Sequence, residues 1–241
     1  MRLDKLVAEL TGMTRSQARD VIVKGRVSVN GEVKKTTAEQ VKEESDVLTL
    51  DGKTLTFQKF VYYMLNKPAG TVSATQDKEA KTVLSLLSAE DKMRRNLFPV
   101  GRLDKDTEGL LLITNDGQMA HSLLSPKKHV DKTYFAEIDG DFNAEMKDKL
   151  EMGVSLGDFI TMPAVIKILE SGQELSRIEI TIREGKFHQV KRMFEAVGRN
   201  VTYLKRLSMG PLKLDEALLP GDYRVLTEEE LDELKRITEK E

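Results

Sequence analysis

Cysteine is absent from this chain of 241 residues. Its absence excludes disulfides, thiol nucleophiles and cysteine zinc sites, and it suits a reducing cytoplasm. Histidine is scarce: His121, His129 and His188 are the whole supply, and no serine or cysteine nucleophile motif accompanies them. A nucleophilic triad therefore has no support. No apolar run approaches the length of a membrane span, and Met1-Arg2-Leu3-Asp4-Lys5 does not open a signal peptide. A cytoplasmic protein with no membrane partner is expected. A glycine-rich phosphate loop, a dinucleotide fingerprint and a metal-ligand cluster are also missing, so no motif points to a bound cofactor or metal.

With 39% apolar and 32% charged residues, the composition is that of an ordinary folded protein. The length allows one large domain, or a small one and a medium one. The net charge of −2 argues against a nucleic-acid partner only as an average. Residues 1–58 hold ten Lys/Arg and nine Asp/Glu, and residues 228–241 hold seven acids and three bases. Residues 183–206 hold seven bases and two acids. A local basic stripe is the footprint that phosphate binding needs, although a solvated helix face would read the same way.

Leu3, Leu6, Val7 and Leu10 recur at helical spacing. Thr14-Arg15-Ser16-Gln17 reads as a capping box opening a second helix, with Ala18, Val21 and Ile22 facing a core and Gly25 ending it. Val27 and Val29 alternate on a strand, Asn30-Gly31 is a strong hairpin signal, and residues 47–50 with Asp51-Gly52 finish a small sheet. Around residues 56–61 the chain is expected to cross into a second domain without a long linker. There, residues 61–65, 134–138, 164–169, 177–182 and 201–206 read as strands, and 82–88, 118–124, 145–152 and 188–196 as helices. Thr227 and Glu230 cap a terminal acidic helix. Strands and helices mix without regular βαβ alternation, which predicts an α+β fold with a mostly antiparallel sheet.

The most informative segment runs from Gly101 to Gly117, where a crowd of charges precedes the greasy run Leu110-Leu111-Leu112-Ile113 and an Asn115-Asp116-Gly117 turn closes the unit. Charged loops at strand ends are where a rigid scaffold exposes reactive groups. Asp104 is the candidate reactive group, with Arg102 two residues upstream to hold its charge or its neighbours. Asp104-x-Asp106-x-Glu108-Gly109 also mimics half of a calcium loop. That loop needs a bidentate Glu at its twelfth position, which here is Asn115, and a helix where this chain has a strand pattern.

Gly101-Arg102-Leu103-Asp104, followed by Thr107-x-Gly109-Leu110-Leu111-Leu112-x-Thr114-Asn115-Asp116-Gly117, resembles the catalytic motif of pseudouridine synthases. The likeness is to the branch comprising the 16S ribosomal RNA uridine isomerase and its large-subunit relatives. Residues 66–70, Lys132-Thr133-Tyr134 and residues 184–193 match that family in the same order, and the resemblance runs from Met1 to about Leu226. It implies an S4 RNA-binding domain over residues 1–58, two helices and a hairpin sheet. A pseudouridine synthase domain over 59–241 would follow, with a mostly antiparallel mixed sheet flanked by helices. The implied reaction detaches uracil from its ribose, turns it and rejoins it through carbon instead of nitrogen. It needs no cofactor.

By the resemblance Asp104 is the essential carboxylate, and three roles suit it: attack on the sugar carbon, action on the base, or action on a sugar proton. Tyr134 would stack on the displaced base or join proton transfer; a core aromatic is the alternative. Lys191 would pair with the carboxylate and Arg192 would meet RNA. Arg102, Leu103, His188 and Gln189 are expected at the substrate, His188 as a hydrogen-bonding scaffold residue. Asp106, Glu108 and Asp116 are expected to be loop hydrogen-bonders. Arg2, Lys5, Arg15, Arg19, Lys24 and Arg26 are the candidate RNA contacts of the S4 domain, each as readily a plain surface charge. The implied partner is 16S ribosomal RNA, free or within an assembling small subunit, and the chain is expected to act as a monomer.

Three competing functions remain open on the sequence. The large-subunit relatives, which act on 23S ribosomal RNA, tend to carry Asn-Arg in place of Phe187-His188, a modest argument for the 16S enzyme. A non-catalytic RNA-binding or assembly factor would tolerate loss of the carboxylate, whereas Asp104 is intact. A glycosidase or nucleosidase would release free uracil.

Overall fold

A computed structural model describes residues 1–43, 45–55, 60–92 and 96–239. The expected crossing between domains, with its boundary at 58/59, falls on residues outside those described. Two compact units emerge: the described residues of Met1–Phe60 with Ser88–Arg95, and those of Val61–Leu87 with Asn96–Glu241.

In the first unit, α1 (Leu3–Thr11) and α2 (Arg15–Val23) precede β1 (Val27–Val29), β2 (Glu32–Lys34), β3 (Leu48–Leu50) and β4 (Lys53–Leu55), in the antiparallel order β2-β1-β3-β4. The Thr14–Gln17 capping box forms in both directions, because the Ncap hydroxyl and the N3 amide each satisfy an orphan backbone donor. Asn30 and Gly31 both take positive φ, as a two-residue hairpin with the right-handed strand twist requires. Leu3, Leu6, Val7, Ala18, Ile22, Val27 and Leu48 close this unit's core. The short helix α3 (Ala89–Lys92) also belongs to this unit.

The second unit is built on one sheet. Its strands are β5 (Tyr62–Lys67), β6 (Phe98–Pro99), β7 (Glu108–Thr114), β8 (Lys132–Asp139), β9 (Val165–Ser171), β10 (Leu175–Ile182), β11 (Val201–Met209), β12 (Leu212–Lys213) and β13 (Tyr223–Val225). The main order is β13-β5-β7-β11-β8-β10-β9, with β6 beside β7 and β12 beside β11. Only the β7–β11 pairing is parallel among those described.

The run Leu110-Leu111-Leu112-Ile113 is apolar throughout because it is buried on both faces. Leu111 and Ile113 join one core with Tyr63, Leu65, Val190 and Phe194, and Leu110 and Leu112 join the other with Met64, Leu123 and Leu234. Helices α5 (Ala144–Met152) and α6 (Gln189–Ala196) contribute to the first core, and α4 (Gly117–Leu124) and α7 (Glu228–Glu239) to the second.

Asn115-Asp116-Gly117 leads from β7 into α4: Asp116 is the N-cap of α4, its carboxylate accepting from Gln118 N and Met119 N and from the Tyr62 hydroxyl. Asp116 is thus a hydrogen-bonder whose acceptors satisfy a helix start. One local expectation is corrected. Residues 82–88 form only a 3-10 turn at Val83–Leu86, too short to propagate as an α-helix.

Candidate active site

The loop between β6 and β7 carries Asp104, and three separate groups hold its backbone. Leu103 N donates to Ser73 Oγ at 3.1 Å while the Ser73 hydroxyl donates to Leu103 O at 2.9 Å. Gly70 N donates to Lys105 O at 2.8 Å. Lys67, fully buried, donates from Nζ to the carbonyls of Thr107 (2.7 Å), Pro68 (3.1 Å) and Lys105 (3.3 Å). Burial pushes the Lys67 ammonium down to about 8, against the pull of Asp106, Glu108 and Asp104. It remains mostly protonated at neutral pH, with all three donors available. Sequence reasoning left Lys67 and Ser73 without a role. The only signal was Lys67-Pro68 inside a matching motif.

The loop is also fixed where it enters β7. Gly109 has φ +98°, and a Cβ there would lie 2.3 Å from the carbonyl oxygen of Arg206 on the parallel neighbour β11. Arg206 in turn is buried and donates from Nε to Leu110 O at 2.7 Å. A stiff strand pair therefore sets where Asp104 points.

Against the Asp104 carboxylate stands the start of α6. Lys191 Nζ lies 3.3 Å from Asp104 Oδ2 and 2.7 Å from Asp106 Oδ1, so one ammonium bridges two carboxylates. Burial alone would lower the Lys191 ammonium, but the hydrogen bond to Asp106 and the charge of Asp104 outweigh it and raise it. That same hydrogen bond holds Asp106 below the ordinary carboxylate range, against a smaller effect of burial. Asp106 thus shares the cation rather than serving as a loop residue alone. His188 occupies the left-handed N-cap of α6, with Nε2 3.5 Å from Asp104 Oδ1 and its ring stacked on Phe187 at 3.8 Å. Phe187 itself is 73% exposed at the edge of the cleft.

Two cavities meet at Asp104. A cleft of about 930 Å³ is lined by Arg102, Asp104, Lys132, Arg183 and Phe187, among others. A small recess of about 50 Å³ lies against Asp104, Thr107, Tyr134, Gln189 and Lys191. Arg102 borders both and makes no ion pair among the described residues. Leu103 borders both as well, with its side chain in the core. Tyr134 is buried on β8 yet borders the recess, and its hydroxyl has no hydrogen-bond partner among the described residues. Thr107 Oγ1 is buried there without a partner too.

The remaining expected residues fall elsewhere or are already engaged. Gln189 spends its amide on Glu184 Oε2 (2.7 Å) and Lys186 N (3.1 Å), which shapes the loop before α6. Arg192 borders neither cavity; it binds Asp158 and Leu156 O (2.6 Å) over the Phe159 ring. Glu108 accepts from the Tyr203 hydroxyl at 2.8 Å. Among the described residues, no group of three or more histidines and carboxylates could hold a metal ion.

In the first unit, Arg2, Arg15 and Arg19 converge on one carboxylate, Asp4, which is fully buried. Burial would raise this acid, but hydrogen bonds from Arg19, Arg15 and Arg2 prevail and hold it well below the usual range. The three guanidinium groups remain about half exposed, so they form a fixed cationic surface. Arg26 pairs with Asp51, Lys5 lies 3.9 Å from Glu9, and Lys24 is exposed at the end of α2.

The site thus brings together Asp104 and Asp106 on a clamped loop, the Lys191 ammonium facing both from a helix, and Tyr134 beside the recess. The chain belongs to the RNA pseudouridylate synthase family, RNA-modifying isomerases, which it matches over residues 61–196. It also carries an S4 domain, matched over residues 1–48. It is 49% identical over 232 residues to the uncharacterized RNA pseudouridine synthase YtzG of Bacillus subtilis, covering 96% of this chain and 97% of that one. It is 41% identical to the ribosomal small subunit pseudouridine synthase A of Escherichia coli K12, covering 96% and 98% respectively. A crystal structure described as pseudouridylate synthase shares 38% identity and a TM-score of 0.67, covering 97% of this chain and 99% of that one. The α+β class and the mostly antiparallel sheet expected from the sequence are those observed.

Proposed function

We propose that this protein isomerises one uridine of small-subunit (16S) ribosomal RNA to pseudouridine, with Asp104 as its catalytic carboxylate. The observation that carries the reading is the placement of that single acid. It faces a recess beside Tyr134, is paired with Lys191 at 3.3 Å, and sits on a loop held by Lys67, Gly70 and Ser73. The small-subunit substrate is carried over from relatives of that printed name, which this chain matches over nearly their full length.

Breaking the bond between the sugar carbon and the base nitrogen builds positive character on that carbon, and a fixed carboxylate stabilises it or bonds to it. The base then turns and rejoins through carbon. The proton lost from that carbon is balanced by one gained at the nitrogen, so no co-reactant is needed. Lys191 keeps Asp104 oriented, and Tyr134 offers a ring and an unengaged hydroxyl to the everted base. Arg102 and Leu103 border the path of the nucleotide, with His188 and Gln189 shaping the loop opposite. Arg192 lies outside the cleft, and in this reading it meets RNA there.

In this reading residues 1–58 form the RNA-gripping domain and residues 59–241 the catalytic one. The arginines fixed by Asp4, with Lys5, Lys24 and Arg26, meet phosphates. One chain supplies Arg102, Asp104, Tyr134 and Lys191 at the site, and in this reading the protein acts as a cytoplasmic monomer on free RNA or on an assembling particle. The test is Asp104→Asn, assayed by mapping carbon-linked uridines in 16S RNA. We expect kcat to fall by about a thousandfold or more while RNA affinity stays near that of the wild type. Undiminished product would remove Asp104 from the chemistry. Product on 23S RNA alone would overturn the substrate and leave the reaction standing.

A further inference from the structure

Lys132 opens β8 and is only 7% exposed, yet it lines the large cleft. Its ammonium has three donors and uses one, to Val130 O at 2.8 Å. No carboxylate lies within ion-pair distance of it among the described residues. Burial, and then the charge of Arg206, push it down to about 8, with Asp131 pulling the other way. At neutral pH it therefore carries a positive charge, in a largely buried position, that no carboxylate among the described residues pairs with and that an arriving anion would offset. Arg183, next to Lys132's strand partner Ile182, adds a second cation that is half exposed and bound on one side to Asp131.

The surroundings favour an anion over a neutral base. Five lysines and arginines line the cleft against two carboxylates, Asp104 and Glu184. Asp104 is engaged by Lys191, and Glu184 accepts from Met162 N and Gln189 Nε2. Lys132 borders the cleft but not the recess at Asp104 and Tyr134, so a base inserted in that recess would not meet it. The cleft is also far larger than the recess, with room for the strand on either side of an everted nucleotide.

We propose that Lys132, with Arg183 beside it, is the anchor for one RNA phosphodiester flanking the target uridine. This rests on the reading that the cleft takes RNA. The anchor fixes the strand while the base enters the recess, and the buried ammonium gains the counter-charge that the fold does not provide.

The experiment compares the full-length wild type with Lys132→Met and Lys132→Arg on a 16S fragment, with RNA binding titrated against salt. For Lys132→Met we expect affinity about tenfold weaker, from loss of one charge-assisted contact. The slope of log K against log salt should become shallower by about 0.7–0.9. The loss should fall on KM rather than kcat, and Lys132→Arg should recover most of it. RNA carrying a neutral methylphosphonate at each linkage near the target, one at a time, should reproduce the loss in the wild type at one linkage only. That linkage should be silent in Lys132→Met. Unchanged affinity and salt slope, or a loss confined to kcat, overturns the anchor. If Lys132→Met does not fold, the methylphosphonate scan on the wild type decides alone, and insensitivity at every linkage overturns it. Failure of the wild type to form pseudouridine defeats the proposed function instead, since binding and salt slope are read independently of turnover.

Discussion

Lys67 shows how one side chain positions another without touching substrate. It ties the carbonyl of Pro68, just after β5, to those of Lys105 and Thr107 on the segment that follows Asp104. Replacement by methionine has two opposed effects. Each orphaned carbonyl costs about 1–3 kcal/mol, while relief of a buried charge lowered by roughly two to three pKa units returns about 3 kcal/mol. The carbonyls prevail, and we expect Lys67→Met to lose about 2 kcal/mol of stability in urea denaturation. kcat should also fall, because the loop loses its fixed geometry. A stabilised variant would show instead that charge burial governs this position.

At the scale of elements, the contact between β7 and β11 decides how close the Asp104 loop lies to the sheet. The two strands run parallel through Lys205↔Glu108 and Arg206↔Gly109. Gly109 is the one residue type that fits there, since a Cβ would lie 2.3 Å from Arg206 O and 2.7 Å from Arg206 N at a φ of +98°. Backbone on both sides leaves no flexible end to yield. Gly109→Ala is therefore expected to cost about 4 kcal/mol or more, combining left-handed strain with a backbone clash. A thermal unfolding midpoint within error of the wild type would show that the strand pair can open without loss.

Over the whole molecule, two buried lysines give a characteristic alkaline response. Lys67 and Lys132 are both lowered to about 8 from 10.5, so between those values the folded state binds fewer protons than the unfolded chain. Stability then rises with pH, by up to about 1.4 kcal/mol per unit for each lysine. Tyr62 and Tyr203 act in the opposite sense. Burial, then hydrogen bonds to Asp116 and Glu108, raise their phenols above the ordinary value of 10, so their stabilisation is lost once the unfolded phenols ionise. Urea midpoints should climb from pH 8 to about 9.5 and turn over above about 10. Lys132→Met should show a shallower climb. RNA binding, which needs the Lys132 charge, should decline over the same rise through pH 8. A midpoint that falls steadily from pH 7 would contradict the burial of both ammonium groups.

The sequence by itself determined the elements and the chemistry-bearing loop. Period-two runs, the Thr14 capping box, the Asn30-Gly31 turn and the apolar Leu110-Leu111-Leu112-Ile113 stretch are local signals, readable because neighbours along the chain cause them. The charged loop around Asp104 was legible as a run of acids and bases before a greasy strand, and its role there is what the resemblance implies. Beyond the Lys191–Asp104 pair, which the resemblance implied, tertiary structure decided which charges meet. Lys191 reaches Asp106 across 85 residues and Lys67 reaches Thr107 across 40. Asp4 collects arginines 2, 11 and 15 positions away. Arg192, adjacent to Lys191 in sequence, points to Asp158 instead because the helix turns it to another face. Burial of a lysine depends on what folds over it, and no spacing rule along the chain encodes that.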